Sequence, residues 1–339
     1  MQDASFSRSG CWPSLQQLLL LRAALWQGAA ALAAWSEWAD SADLDRIDNG
    51  SQRLLPLVYA NLHALGLEHP HDGSPAPLPG QDQLKYSVMS YKDFAGDTNN
   101  GYGTAYYPIS YMLNDIAALQ YLYGVNNSYH SGNDTYSWAA GARVYECIWD
   151  GGGTDTIDVG NQTQGCTINL NPGTWSSVGT AFSNSQSTVR DDLGIAYGAI
   201  IENATGSGYV DTLVGNGVNN RLIGGAGADT LTGNAGADSF VFRTVAEGGD
   251  TITDFSSAQG DKIQVVASNF GLTAGGTAVL QVGSSQPGAV GTGGQFLYAS
   301  GTGQLWFDQD GTGSGQAVLL GTLSNRPTLG ASDIQLVSA

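Results

Sequence analysis

The 339-residue chain reads as an α+β protein, with a helical N-terminal third over residues 1–123 and an all-β remainder over 124–339, built as a parallel β-roll with a β cap. Three observations predict this. Gln16–Ala39 is a long Ala/Leu-rich run, and Leu54–Leu67 is a second helical run ending near Gly66. After Gly124 the pattern changes to short apolar strands between Gly- and Asp-rich turns. Finally, Gly206–Val241 divides without slippage into four blocks of nine: GSGYVDTLV, GNGVNNRLI, GGAGADTLT and GNAGADSFV.

The blocks open at Gly206, Gly215, Gly224 and Gly233. Each carries Asp or Asn at its sixth place (Asp211, Asn220, Asp229, Asp238) and Leu or Phe at its eighth (Leu213, Leu222, Leu231, Phe240). Glycine lets the backbone take positive φ and turn its carbonyls inward. Aspartate adds a hard carboxylate oxygen, and Ca²⁺ takes about six to eight such oxygens in flexible geometry. The third block fits the calcium-binding nonapeptide G-G-x-G-x-D-x-U-x of RTX proteins at every fixed position, and the fourth departs only at Asn234. The candidate calcium ligands are therefore Asp211, Asn220, Gly224, Gly225, Gly227, Asp229, Gly233, Gly236 and Asp238. The x-U-x part of each block is a three-residue strand with one large apolar side chain pointing inward. Two blocks make one winding, so blocks one and three stack on one side, and blocks two and four on the other. One ion is expected between the turns of Asp211 and Asp229, and a second between those of Asn220 and Asp238. The second block is the poorest, with Val218 and Asn220 where Gly and Asp belong.

Composition agrees with bound cations. The chain has 48 Gly and 12 Lys plus Arg against 30 Asp plus Glu, a net charge of −18. Only five of those acids are Glu, a skew that suits turns and hard-cation sites better than helix surfaces. An unneutralised charge of this size opposes compaction, and it excludes nucleic acid as a partner, which needs a basic face. No segment has the length of a transmembrane helix. Leu15–Trp35 is apolar, but Arg22 interrupts it and no basic stretch precedes it, which favours an amphipathic or buried helix over a signal peptide. Cys11, Cys147 and Cys166 are too few for a disulfide framework; Cys147 and Cys166 are either a pair brought together by strands or two buried thiols.

Outside the array, Ser131–Tyr136 and Asp150–Ile157 are half-repeats of the same type and mark the start of the roll, with Asp134 and Asp155 as further calcium candidates. Ile168–Asn171 and Ile195–Asn203 read as strands leading into the repeats. Asp308-Gln-Asp310-Gly311-Thr-Gly313 begins like an EF-hand loop but lacks its later ligands and closing Glu, so it reads as a hairpin turn with a weak ion at most. The C-terminal β segment supplies the cap that a solenoid's last winding needs.

A second resemblance lies upstream. His63-Ala-Leu-Gly66-Leu-Glu-His69-Pro70 resembles the second half of the metzincin zinc helix H-E-x-x-H-x-x-G-x-x-H. Tyr86-Ser-Val-Met89-Ser-Tyr91 resembles the Met-turn, and Asn114–Gly124 resembles the closing helix of the catalytic domain in serralysins, secreted bacterial zinc endopeptidases that carry an RTX β-roll. Ile201-Glu-Asn-Ala204, and Asp250-Thr-Ile-Thr-Asp254-Phe255 with Asp261-Lys-Ile263, resemble the segments that lead into and close that roll. The resemblance implies zinc ligands at His63, His69 and Tyr91, with Met89 beneath them, and calcium at Asp250 and Asp254; the alternative for these two is ordinary turn carboxylates. Without the motif, His63 and His69 would read as surface or capping histidines. The resemblance further implies a protein or peptide substrate, extracellular localisation, and a C-terminal signal read by type I secretion machinery.

The departures bear on activity. Tyr59 stands where the first zinc histidine belongs and Ala60 where the general base belongs. Catalytic zinc needs three protein ligands with an open position, and its water needs a base. Only about fifteen residues separate the first helix from the zinc helix, too few for the family's substrate-aligning sheet. The expectation is a truncated metzincin-like domain with little or no peptidase activity, or alternatively a non-catalytic secreted calcium-binding module. A G-x-S-x-G lipase motif is absent.

Overall fold

A three-residue strand with a single inward side chain cannot fold alone; it needs equivalent strands on either side of it. The computed structural model, which describes residues 81, 83–88, 90, 108–183, 188–189 and 192–339, arranges the repeats in this way. The helices expected over 16–39 and 54–67 lie outside the described residues. The chain divides into two units, Met1–Ala118 and Leu119–Ala339. A helix, α1 (Leu113–Tyr123), runs across the division between residues 118 and 119. Among the described residues no helix is long and apolar enough to cross a membrane.

The strands run in chain order β1 (Thr135–Tyr136), β2 (Glu146–Ile148), β3 (Thr156–Asp158), β4 (Thr167–Asn169), β5 (Trp175–Ser176), β6 (Phe182–Ser183), β7 (Thr188–Val189), β8 (Leu193–Ile195), β9 (Asn203–Thr205) and β10 (Thr212–Val214). They continue as β11 (Arg221–Ile223), β12 (Thr230–Thr232), β13 (Ser239–Phe242), β14 (Asp250–Ile252), β15 (Lys262–Val266), β16 (Leu280–Gly283), β17 (Gln295–Ala299), β18 (Gln304–Asp308), β19 (Val318–Leu323) and β20 (Ile334–Val337). One sheet has the order β1-β3-β9-β11-β13-β15-β20, and the facing one β4-β10-β12-β14-β19-β18-β17-β16.

Within the array all pairing is parallel. Leu213 lies beside Leu231, and Leu222 beside Phe240, so blocks one and three stack in one sheet and blocks two and four in the other. Each three-residue strand buries its middle residue, as predicted. In the first sheet the inward row is Tyr136, Ile157, Ala204, Leu222, Phe240, Ile263 and Ile334. In the second it is Ile168, Leu213, Leu231, Ile252 and Leu323. The two rows belong to one continuous core. Full burial of one such Leu, Ile or Phe stabilises the fold by about 1.5–3 kcal/mol.

The half-repeats begin the roll: β1 pairs with β3, and β3 with β9. They are out of phase in sequence because an excursion separates them from the array. It runs from β3 to β9 and contains β4, which joins the second sheet, and β5 and β8, which form a small sheet with β2, itself between the half-repeats. The strand expected over 195–203 does not form: residues 196–202 are turn and loop. β8 ends at Ile195 and β9 begins at Asn203, with a turn at Gly198 between them (φ 88°). Cys147 and Cys166 are both buried and neither is in a disulfide.

The β cap is formed by β16 to β19. β17 and β18 pair antiparallel, as do β18 and β19, and β19 runs parallel to β14. Phe307 packs between Phe270 and Phe296 at centroid distances of 5.0 and 5.2 Å. The Asp308–Gly313 segment lies between β18 and β19 as a hairpin connection. Asp308 Oδ1 accepts the amides of Asp310 and Gly311, and Asp310 Oδ2 accepts that of Gly315.

Candidate calcium sites in the turns

The sixth-position carboxylates form two ladders, one along each side of the roll. On one side the amide of Cys166 donates to Asp211 Oδ1 (2.5 Å), that of Asp211 to Asp229 Oδ1 (2.7 Å), and that of Asp229 to Asp250 Oδ1 (3.0 Å). On the other, Asp134 donates to Asp155 Oδ1 (2.7 Å) and Asp155 to Glu202 Oε2 (2.7 Å). Past a break at Glu202, Asn220 donates to Asp238 Oδ1 (2.8 Å) and Asp238 to Asp261 Oδ1 (3.0 Å). Each link ties one oxygen of a carboxylate to the backbone of the preceding winding, and in every aspartate that oxygen is Oδ1.

The second oxygens are different. Asp155 Oδ2, Asp229 Oδ2 and Asp238 Oδ2 are buried with no hydrogen-bond partner. Leaving one such group unsatisfied costs about 1–3 kcal/mol, and more when it is charged. Carbonyl oxygens crowd the same turns. A Cβ on Gly227 (φ 139°) would stand 2.5 Å from Tyr209 O, and one on Gly236 (φ 125°) 2.4 Å from Val218 O. Gly224 and Gly233 lie against the orphaned oxygens, where a Cβ would come within 2.5 Å of Asp229 Oδ2 and 2.3 Å of Asp238 Oδ2. Gly225 crowds Ser207 O in the same way, at 2.1 Å. Hard oxygens, buried and short of a positive partner, suit Ca²⁺.

A third group lies at the start of the roll, where single carboxylate oxygens of Asp134, Asp150 and Asp155 all fall within 4.8 Å of one another. Tyr136 Oη donates to Asp150 Oδ2 (2.6 Å), and His130 Nδ1 lies 3.3 Å from Asp134 Oδ2. Sequence reasoning singled out Asp134 and Asp155 but missed Asp150 in this group and Glu202 and Asp261 as ladder members. Asp150 opens the quoted half-repeat; Glu202 stands nine residues before Asp211, in phase with the array, but its block opens on Tyr197 instead of Gly. Asp254 differs from Asp250: its two oxygens accept the amides of Gly233 (2.9 Å) and Asn234 (2.8 Å).

Burial, and then the charge of neighbouring carboxylates, raise Asp155 and Asp229 to about 6, Asp238 to about 7 and Asp250 to about 8. A carboxyl raised in the fold keeps its proton there while the unfolded chain gives it up. Its contribution is therefore complete below the unfolded value near 4 and is lost as pH rises through the folded value. In chelator, the roll is expected to regain β signal in far-UV circular dichroism between pH 8 and pH 5. An equal or weaker signal at pH 5 would contradict this.

The zinc positions His63, His69 and Tyr91, the Met-turn residue Met89, and the substituted positions Tyr59 and Ala60 lie outside the described residues. The buried Asp115 accepts hydrogen bonds from Ser87 Oγ (2.6 Å) and the amides of Val88 (2.8 Å) and Met112 (3.0 Å).

Stacked nonapeptide windings with carboxylate-lined turns define a parallel β-roll protein of the repeat class. Residues 114–282 match the family described as Peptidase M10 serralysin C terminal, and this stretch is of the serralysin type. Metalloprotease AprA of Pseudomonas entomophila (strain L48) is 36% identical over 174 residues, 45% of this chain and 34% of that protein. Serralysin C of Dickeya chrysanthemi is 36% identical over 176 residues, 45% of this chain and 34% of that protein. Serralysin A of Dickeya chrysanthemi is 33% identical over 188 residues, 50% of this chain and 36% of that protein. The chain thus spans about a third of the length of these relatives.

Proposed function

We propose that residues 124–339 are a calcium-dependent β-roll module of a secreted, extracellular chain. The observation that carries this reading is the set of buried, unpartnered oxygens on Asp155, Asp229 and Asp238. Calcium supplies positive charge that these groups lack, and the chain's own turns orient the oxygens toward it. Isothermal titration of the chelator-stripped chain is expected to show several calcium sites and no comparable heat with magnesium, which demands stricter octahedral geometry. Absence of calcium binding would overturn the reading. Export by type I secretion machinery fits the family resemblance.

The relatives' names, metalloprotease and serralysin, favour a second reading as a zinc endopeptidase acting on protein or peptide substrates. His63, His69 and Tyr91 would then hold the zinc. Tyr59 and Ala60 argue against turnover, because the set lacks its first histidine and its general base. Elemental mass spectrometry is expected to find several calcium ions and less than stoichiometric zinc. The pure chain is expected not to degrade an unstructured protein. Chelator-sensitive cleavage by pure material would restore the endopeptidase reading.

A further inference from the structure

The four turns of the array are built alike but satisfied differently. In each, one oxygen of the sixth side chain lies against the first glycine. A Cβ on Gly206, Gly215, Gly224 and Gly233 would meet Asp211 Oδ2, Asn220 Oδ1, Asp229 Oδ2 and Asp238 Oδ2 at 2.8, 2.3, 2.5 and 2.3 Å. In the third and fourth turns that oxygen has no partner. In the first and second the chain supplies one itself.

The difference lies in the second residue of the turn. In the first turn Ser207 donates its amide (2.6 Å) and its hydroxyl (2.9 Å) to Asp211 Oδ2, and its hydroxyl accepts the amide of Tyr209 (3.1 Å). In the second turn the amide of Asn216 donates to Asn220 Oδ1 (2.8 Å). Asn220 Nδ2 then donates to Glu202 O (2.9 Å) and Asn216 Oδ1 (3.0 Å). Asn216 Nδ2 donates to Ile201 O (2.8 Å) and Leu170 O (3.2 Å). Amide hydrogens thus occupy the carbonyl oxygens that a cation would otherwise collect. Asn220 also fits its place better than Asp would. At the break in the ladder the preceding winding presents a carbonyl, Glu202 O, where elsewhere it presents an amide N–H, and a carboxylate cannot donate to it. The later turns lack these devices. Gly225 has no side chain, and Asn234 Nδ2 reaches back to Gly215 O (2.6 Å) rather than to Asp238.

We infer that turns 206–211 and 215–220 are set without a cation, by Ser207 and by Asn216 with Asn220, and form a calcium-independent seed on which the calcium-dependent turns 224–229 and 233–238 stack. Carbonyls of the seed still border the later turns, so it can contribute ligands to an ion without needing one to hold its own form. The inference rests on the calcium reading above.

Hydrogen-exchange mass spectrometry of the full chain, saturated with calcium and then in chelator, tests it. Peptides from 203–223 are expected to keep at least about tenfold protection in chelator, while those from 230–242 exchange as unfolded chain. Joint loss of both segments would overturn the seed and leave the calcium reading standing. No response in either segment would overturn both. A Ser207→Gly, Asn216→Gly double variant, with calcium present, should fold and protect 203–223 as the unaltered chain does; in chelator it should lose that protection. Unchanged protection in chelator would equally overturn the inference. If the variant does not fold, exchange in the unaltered chain still decides.

Discussion

Stripping calcium from the folded chain at pH 8 is expected to remove most of its β-sheet signal, and returning millimolar calcium to restore it. The first unit does not enter this expectation. Three buried carboxylate oxygens without partners sit in a chain whose net charge is −18. An ion that binds only the folded state and is present at a hundred times its Kd stabilises that state by about 2.7 kcal/mol. Three such ions contribute on the order of 8 kcal/mol, which is comparable with the whole stability of a typical domain. Circular dichroism against free calcium should therefore show a steep, concentration-dependent transition. A full β spectrum in excess chelator at pH 8 would mean that the orphaned oxygens are satisfied in some other way, and the calcium reading would fall.

The second large effect belongs to Phe240. Its side chain is fully buried, in register between Leu222 and Ile263, with Phe255 at a centroid distance of 6.1 Å. It is the one phenylalanine at the eighth position of the four blocks. Phe240→Ala is expected to cost about 3–5 kcal/mol, because neighbouring windings pinned by their own ladders cannot collapse into the space left behind. At about 2–4 °C per kcal/mol for a unit of this size, the calcium-saturated melting temperature should fall by roughly 10 °C. Val214→Ala, on the outer face of β10, should stay within about 0.5 kcal/mol. A loss below about 1.5 kcal/mol at Phe240 would mean that the roll relaxes around the cavity more freely than its close packing implies.

The repeat array was legible because its period is short and unbroken. Nine residues per turn and strand fix which side chains face inward, which blocks stack, and which oxygens line the turns. The half-repeats were legible as motifs, but not their register with β9, since the excursion between β3 and β9 obeys no period. Glu202 shows the limit most clearly: it stands nine residues before Asp211 and its carboxylate continues the ladder from Asp155, yet its block opens on Tyr197 instead of Gly and carries Glu instead of Asp, so the motif does not mark it. Ser207 and Asn216 occupy a variable position of the block, and their role depends on where neighbouring windings place backbone oxygens. The cap follows sheet pairing between distant segments, which local pattern indicates only as strands.

The strand β20 imposes an order on assembly. Equivalent positions in successive windings of the array, such as Asp211 and Asp229, lie 18 residues apart, whereas Gln264 and its neighbour Gln335 are separated by 71. Closing a loop about four times longer costs roughly 1.2 kcal/mol more in chain entropy. The array can therefore grow by short-range additions, each winding templating the next, before β20 arrives. The last strand of the first sheet then acts as a latch. It docks only when β15 already offers a finished edge, and the folding rate should be limited by this closure and the equally distant pairing of β19 with β14 rather than by the number of repeats.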